Sequence, residues 1–498
     1  DAACLVISPI DAAVRTMGGE LTPRRGTREV AAIFHEVARE NGCAWWDALE
    51  AMGGEGAAIR WLSAGLLNKD LVHPRARGSD LLGHLFDLAM QRAWAASRMP
   101  QLRAPASAPA RAQEPSGLRN ADTALKGTFT RLRALEAGGD ERLAILQMGA
   151  SHTAAHVFTD AVRGALVERF GDGGRGFVAA GRASERLKGA RVARELEGEW
   201  TVEDALQAAP GPRAWGLSGI RAVGAPGASL RIRFCEGCPQ AATPPARLSL
   251  YWLDGPGAGQ MEVQVDGTAM PPEPPPPEPF TRPTVRIRSF PVEGAAHEVR
   301  VDNVGREGQV TVLGAALDLE QPGVIYDAVG LPGATAATQA SLEREALAAQ
   351  LGARKPRLLV LWYGTNESAE EGLDGEALRR EYGALVARLR EDAGGAECLL
   401  LGTTDRVQPD GSEAPSLGKV REVLPRVARE QGCAYWSPRA AMGGAGSMSR
   451  WQREGLGHAD GVHLTPEGYA KLAGSFVSDL LGAYEAFKTQ PPKLAEGG

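Results

Sequence analysis

Three short segments of this chain carry side chains that together could perform acyl transfer: Gly149-Ala150-Ser151-His152-Thr153, Tyr363-Gly364-Thr365-Asn366-Glu367 and Asp460-Gly461-Val462-His463. In that order they offer a nucleophilic hydroxyl, a carboxamide able to donate to an oxyanion, and an imidazole with a carboxylate three residues before it. Taken singly they are weak signals. A Gly-x-Ser triplet is usually structural, an Asn past a strand is usually a turn cap, and an Asp-x-x-His is usually a surface coincidence. A metal site is the competing reading of the last pair, but no third or fourth ligand lies near it, so no metal is expected.

Each segment needs an element to aim it. Leu143-Ala144-Ile145-Leu146-Gln147-Met148 reads as a buried strand, and Ala154–Phe170 as a helix, so Ser151 falls on a strand-to-helix turn. Such a turn exposes the hydroxyl and points helix N-terminal N–H groups at an anion formed beside it. Leu358-Leu359-Val360-Leu361-Trp362 reads as a second buried strand, with Asn366 past its C-terminal end, where open α/β sheets bind ligands. A third short run, Gly323-Val324-Ile325-Tyr326-Asp327, leads to Gly330-Leu331-Pro332-Gly333-Ala334, where Gly333 can bring its N–H close to the same point. Thr465-Pro466 marks a helix start, so Asp460 and His463 lie on the loop that feeds it. Upstream, Leu118–Ala137 has a helical pattern.

Between the serine and asparagine segments the period changes to two. Leu230–Phe234, Leu248–Trp252, Met261–Val265, Val285–Arg288, Glu298–Val301 and Val310–Leu313 read as short strands, with Asp266-Gly267 a hairpin turn and Pro271 to Pro279 an extended loop. This predicts a β-sandwich or jelly roll inserted into the catalytic domain. Tyr251, Trp252 or Trp215 would offer a sugar-stacking face; the plainer reading is that they fill the sandwich core. Alternation predicts that Tyr251 and Trp252 do not both face inward.

At 498 residues the chain is long enough for two to four domains, and its net charge of −6 with no basic stripe excludes a nucleic-acid partner. No apolar run is long enough to span a bilayer, so no transmembrane segment is expected. The chain starts at Asp1 without Met or a signal-like stretch, and its natural beginning is expected upstream. Cys398 and Cys433 each open a strand-like run, as do Cys4 and Cys43, which predicts two bridges across neighbouring strands. Cys235-Glu236-Gly237-Cys238 reads as a local disulfide rather than half of a zinc site. Three such pairs favour an extracytoplasmic location, the alternative being six buried free thiols.

The chain also repeats itself. Gly42-Cys43-Ala44-Trp45-Trp46, Ala51-Met52-Gly53-Gly54, Arg60-Trp61 and Asp70-Leu71-Val72-His73 return as Gly432-Cys433-Ala434-Tyr435-Trp436, Ala441-Met442-Gly443-Gly444, Arg450-Trp451 and Asp460-Gly461-Val462-His463, each 390 positions later (43 to 433, 73 to 463). Cys4 and Asp11 pair with Cys398 and Asp405 at an offset of 394 (4 to 398, 11 to 405). Residues 1–98 therefore read as the C-terminal half of a domain whose full copy follows the Pro/Ala/Arg-rich linker 99–117. The full copy is expected over 118–195 and 321–490, with the insertion at 196–320. Asp70 and His73 lack an upstream serine in this chain. The missing front half is expected either ahead of Asp1 or on a separate chain, unless the copy is a decayed duplicate.

These blocks resemble the SGNH (GDSL) hydrolase family. The resemblance implies a flavodoxin-like three-layer α/β/α domain, with Ser151 as nucleophile, Gly333 and Asn366 completing the oxyanion hole, and Asp460 and His463 completing the triad. One departure is Ala150, where the family usually has Asp. The wider context is similar to bacterial peptidoglycan O-acetylesterases that carry an inserted jelly roll. It implies a serine esterase that needs no cofactor and removes O-acetyl groups from a cell-envelope polysaccharide, peptidoglycan first. The alternatives are an acetyltransferase with the same triad, or a catalytically silent envelope-binding protein.

Overall fold

Leu358–Trp362 is buried at every residue, as a strand covered on both faces must be. It is the centre of a five-stranded parallel sheet whose order is Gly323–Gly330, Arg142–Gly149, Leu358–Trp362, Glu397–Leu401, Ala434–Trp436. Numbered along the chain that order is 2-1-3-4-5, the flavodoxin-like doubly wound arrangement, with its switch point at the serine strand. The computed structural model describes residues 4–16, 18–98, 117–181, 192–208, 213–234, 244–293, 297–408 and 410–489. The linker and the Cys235/Cys238 pair foreseen above lie outside these residues, the linker all but Gly117.

The chain divides into two compact units, Asp1–Arg111 and Ala112–Gly498. In the second, helices Lys126–Glu136, Val157–Phe170 and Pro466–Thr489 cover one face of the sheet through Phe129, Phe158, Leu166, Phe476 and Tyr484. Helices Arg344–Arg354, Gly375–Asp392 and Leu417–Glu430 cover the other. This is the three-layer α/β/α domain expected.

The insertion folds as two antiparallel sheets. One runs Thr268–Ala269, Met261–Val265, Glu298–Asn303, Ser229–Phe234, Val192–Glu197; the other runs Thr284–Glu293, Pro245–Asp254, Val310–Leu319, Ile220–Gly224, Trp200–Asp204, with Gly176–Ala179 also paired to Val310–Leu319. The sandwich thus takes in strands ahead of residue 196. Asp266 and Gly267 both have positive φ (50° and 77°), as a type I′ hairpin turn requires.

Strand Pro245–Asp254 lies between two cores. Trp252 packs into the sandwich interior and Tyr251 into the layer shared with the catalytic sheet, edge-on to Phe177 with centroids 5.2 Å apart. The alternation is as expected, but both sides of the strand are covered, so both rings are buried. Neither presents a stacking face, and Trp215 is buried as well. The seam is also pinned by charge: buried Arg354 donates to Asp327 on the catalytic sheet (2.8 Å) and to Asp318 on the sandwich (2.6 Å).

The first unit repeats the last elements of the second in order, and three of its helices match in length. Helices Thr27–Glu40, Ala48–Met52 and Ala57–Ser63 correspond to Leu417–Glu430, Pro438–Met442 and Ser447–Arg453 at the offset of 390. Leu5–Ile7 pairs in parallel with Ala44–Trp46 as Glu397–Leu401 does with Ala434–Trp436. Disulfides Cys4–Cys43 and Cys398–Cys433 cross the two strand pairs at matching places. Even a cap recurs: Asp11 accepts from Ala58 N–H (2.8 Å) and Asp405 from Met448 N–H (3.0 Å).

Candidate active site

Three strand ends converge on one edge of the second unit's sheet. Gly149 pairs with Trp362 on one side and Gly330 on the other, so the loops bearing Ser151, Asn366 and Gly333 leave the sheet side by side. Gly149 and Gly330 must lack side chains: a Cβ on the first would lie 2.4 Å from Thr153 Oγ1, and on the second 2.4 Å from Ala154 N. The serine turn therefore sits directly on the sheet.

Ser151 opens the helical turn Ser151–Ala154, where an N–H has no acceptor one turn back. Its Oγ is 2.8 Å from His463 Nε2, and His463 Nδ1 is 2.7 Å from Asp460 Oδ2. Asp460 Oδ1 accepts from the N–H groups of Val462 and His463, both at 2.9 Å, which fixes the carboxylate to its own loop. Partial burial opposes ionisation of Asp460, but the His463 ring and those two N–H groups outweigh it and hold the carboxyl well below the usual carboxylate range. The hydroxyl, imidazole and carboxylate singled out in the sequence are thus joined in one hydrogen-bonded line. The His463 side chain is 38% exposed, so the line ends at an open surface.

The oxyanion candidates lie on the two loops that leave the sheet beside the serine strand. Asn366 uses one amide N–H on Ala334 O (2.8 Å), which ties it to the loop of Gly333 and leaves its second N–H free of that bond. Gly333 is exposed with φ +87°, in the left-handed region that favours glycine. Buried Glu367 clamps the same two loops, accepting from Ala336 N–H (2.8 Å) and Gly364 N–H (2.9 Å). Burial raises the Glu367 pKa, against these donated hydrogen bonds. Arg406 donates to Thr365 O (2.5 Å) from the neighbouring strand end.

Sequence reasoning passed over this supporting layer. Glu367, Arg406, Gln147 and His152 are unremarkable locally and meet their partners only through the fold. Gln147 donates to Thr153 Oγ1 (3.0 Å) and accepts from Tyr326 OH (2.6 Å), bracing the serine turn. His152 bonds Tyr469 OH (2.8 Å) and stacks on Trp362 at 5.0 Å. Ala150 is buried beneath the turn and its carbonyl accepts from Thr153 and Ala154, so bracing comes from Gln147 and His152.

In the first unit, His73 Nδ1 lies 3.1 Å from Asp70 Oδ2, and Asp70 Oδ1 accepts from His73 N–H at 2.9 Å. The loop is a replica of Asp460–His463. Among the described residues no hydroxyl bonds the other nitrogen of His73.

A doubly wound parallel sheet with a serine at its switch point and a His–Asp pair on the last loop defines an SGNH-type hydrolase fold. Residues 294–471 match the model of the GDSL-like lipase/acylhydrolase family. The match spans Gly333, Asn366, Asp460 and His463; the inserted sandwich separates Ser151 from it. Among solved structures, a peptidoglycan O-acetylesterase is 23% identical, over 72% of this chain and 96% of that one, with a TM-score of 0.61. A family two carbohydrate esterase from Cellvibrio japonicus is 11% identical over 59% of this chain and 99% of its own (TM-score 0.26). A carbohydrate esterase family 3 protein from Talaromyces cellulolyticus is 16% identical over 32% and 72% (TM-score 0.25). No curated protein matches the chain.

Proposed function

We propose that the second unit is a serine esterase that removes O-acetyl groups from a cell-envelope polysaccharide, with peptidoglycan the first substrate to test. The observation that carries this reading is the unbroken line Ser151–His463–Asp460. His463 Nε2 takes the Ser151 proton as the oxygen bonds to the acetyl carbonyl carbon. The N–H groups of Ser151 and Gly333 and the Asn366 amide receive the charge that develops on the carbonyl oxygen, a contribution of roughly 3–4 kcal/mol per donor. The adduct collapses, and the sugar oxygen leaves with the proton from His463. Water then adds to the acetyl-serine, giving its proton to His463; acetate departs and Ser151 regains its proton. Asp460 stays ionised throughout, orienting the ring and stabilising its charged form.

The substrate class draws support from the likeness to a peptidoglycan O-acetylesterase over most of both chains, and the exposed His463 side chain leaves the reacting groups within reach of solvent. The disulfides Cys4–Cys43 and Cys398–Cys433 support an extracytoplasmic location. Among the described residues no helix is long and apolar enough to cross a membrane. The test is acetate release from O-acetylated peptidoglycan, with and without an added sugar acceptor. Acetate released without an acceptor, and lost in Ser151→Ala, is expected. Transfer to the acceptor without free acetate would make the protein an acetyltransferase.

A further inference from the structure

We infer that the first unit presents a docking surface for the front half of a second hydrolase domain, and that Asp70 and His73 complete a triad with that partner's serine. The partner meant is a polypeptide with the two units that residues 141–170 and 356–392 form here: strand, serine turn and helix, then strand, asparagine loop and helix. The docking part goes beyond the function proposed above; only the chemistry of the composite site rests on it.

The repeat itself says what covers this face. On helix Leu417–Glu430, Val420, Leu424 and Val427 are fully buried and Val423 is 9% exposed. They share a core with Leu378, Tyr382, Leu385 and Val386 of the helix Gly375–Asp392. A Cβ on Gly364, in the asparagine loop, would come within 3.0 Å of both Leu424 and Val420. Their counterparts on Thr27–Glu40 are Val30, Ile33, Phe34 and Val37, exposed by 41%, 58%, 41% and 45%. The residues remain apolar at all four positions, although none of them is covered. The strand tells the same story. Leu399 and Leu401 are fully buried in a strand paired on both edges, whereas Leu5 and Ile7 are 38% and 43% exposed. Among the described residues Leu5–Ile7 pairs on one edge only.

An open strand edge beside an apolar helix face is costly to leave in water and ready to accept another strand. The shape of what it accepts is set by the elements that cover the replica: a parallel strand along Leu5–Ile7 and a helix across Ile33 and Phe34. A strand placed there in the register of Leu358–Leu361 on Glu397–Leu400 would bring its neighbouring serine turn to the loop that already holds His73 against Asp70.

The test is a tandem chain: a second copy of residues 117–397 joined to Cys4 of the full chain, whose own complete domain carries Ser151→Ala. The amides of Thr27–Glu40 should exchange with solvent at least about tenfold more slowly than in the full chain without the addition. A fluorophosphonate should label the added serine, its oxygen bonding to phosphorus as fluoride leaves and the proton passes to His73, and His73→Ala should abolish the label. Ile33→Glu should leave the melting of the full chain unchanged and destabilise the first unit of the tandem chain. Unchanged exchange over Thr27–Glu40, or equal effects of Ile33→Glu in both chains, overturns the docking surface. Protection without a His73-dependent label, when Ser151 of the unaltered chain does label, overturns the composite site. Failure of Ser151 itself to label counts against the proposed function and leaves the exchange readout decisive for docking.

Discussion

Ser151, His463 and Asp460 owe their reach to what surrounds them, and His152 shows how. It follows the nucleophile directly, is fully enclosed, and stacks on Trp362 with Tyr469 on its Nδ1. Burial, and after it the charge of His463, push its pKa down from 6.5 to about 3. The folded protein therefore excludes a proton that the unfolded chain binds, so stability rises with pH across that interval. The contribution is fully present above pH 6.5 and is lost progressively as pH falls toward 3, a span on the order of 4 kcal/mol. Melting temperature should thus fall as pH is lowered through this window, and His152→Gln, which keeps a polar partner for Tyr469, should make the fall shallower. Identical pH slopes for the two proteins would contradict this account of His152.

At the scale of elements, the loop Asp460–His463 depends on a glycine. Gly461 has φ +69°, and a Cβ there would lie 2.3 Å from Val407 O, whose own N–H bonds Gly461 O at 3.0 Å. Gly461→Ala should cost roughly 1–3 kcal/mol and, by shifting the Asp–His pair, lower kcat by about 10–100-fold. A variant with unchanged kcat and melting temperature would show that the loop is not held this way. In the first unit Leu71 occupies the same place with φ 67°, over Ala13 in place of Val407, so the turn persists where the neighbour is smaller.

Much of this scale was legible beforehand. The parallel strands announce themselves as apolar runs, the sandwich strands as alternation, and the Asp-Gly hairpin by its residues. The hydroxyl could be picked out because it stands at the end of such a strand, and the imidazole and carboxylate because they precede a marked helix start at Thr465-Pro466. What could not be read were pairings between distant segments. The burial of Tyr251 and Trp252 depends on a second core behind the strand, and the Glu367 clamp on a loop that local pattern does not reveal. Strands Gly176–Ala179 and Val192–Glu197 join the sandwich by long-range pairing that their own sequences do not declare.

The whole molecule combines one three-layer α/β/α domain, interrupted by a sandwich, with a separate unit built like its second half. All the groups assigned to the reaction lie in Ala112–Gly498, which forms one compact unit. A chain starting at Ala112 should therefore turn over an aryl acetate within about twofold of the full chain, since an independent unit keeps its own core. A large loss of activity in that shorter chain would mean that the first unit contributes to the site. The retained apolar face of the first unit is what distinguishes a docking half-domain from a fragment drifting toward a polar surface.

Covalent labelling by a serine-directed fluorophosphonate, read by intact mass and mapped to one peptide, tests the central claim most directly. The expected result is a single adduct on Ser151, absent in Ser151→Ala and slowed by at least about a hundredfold in His463→Ala. A chain that is folded and yet takes no label at Ser151, or labels as fast without His463, would contradict the mechanism.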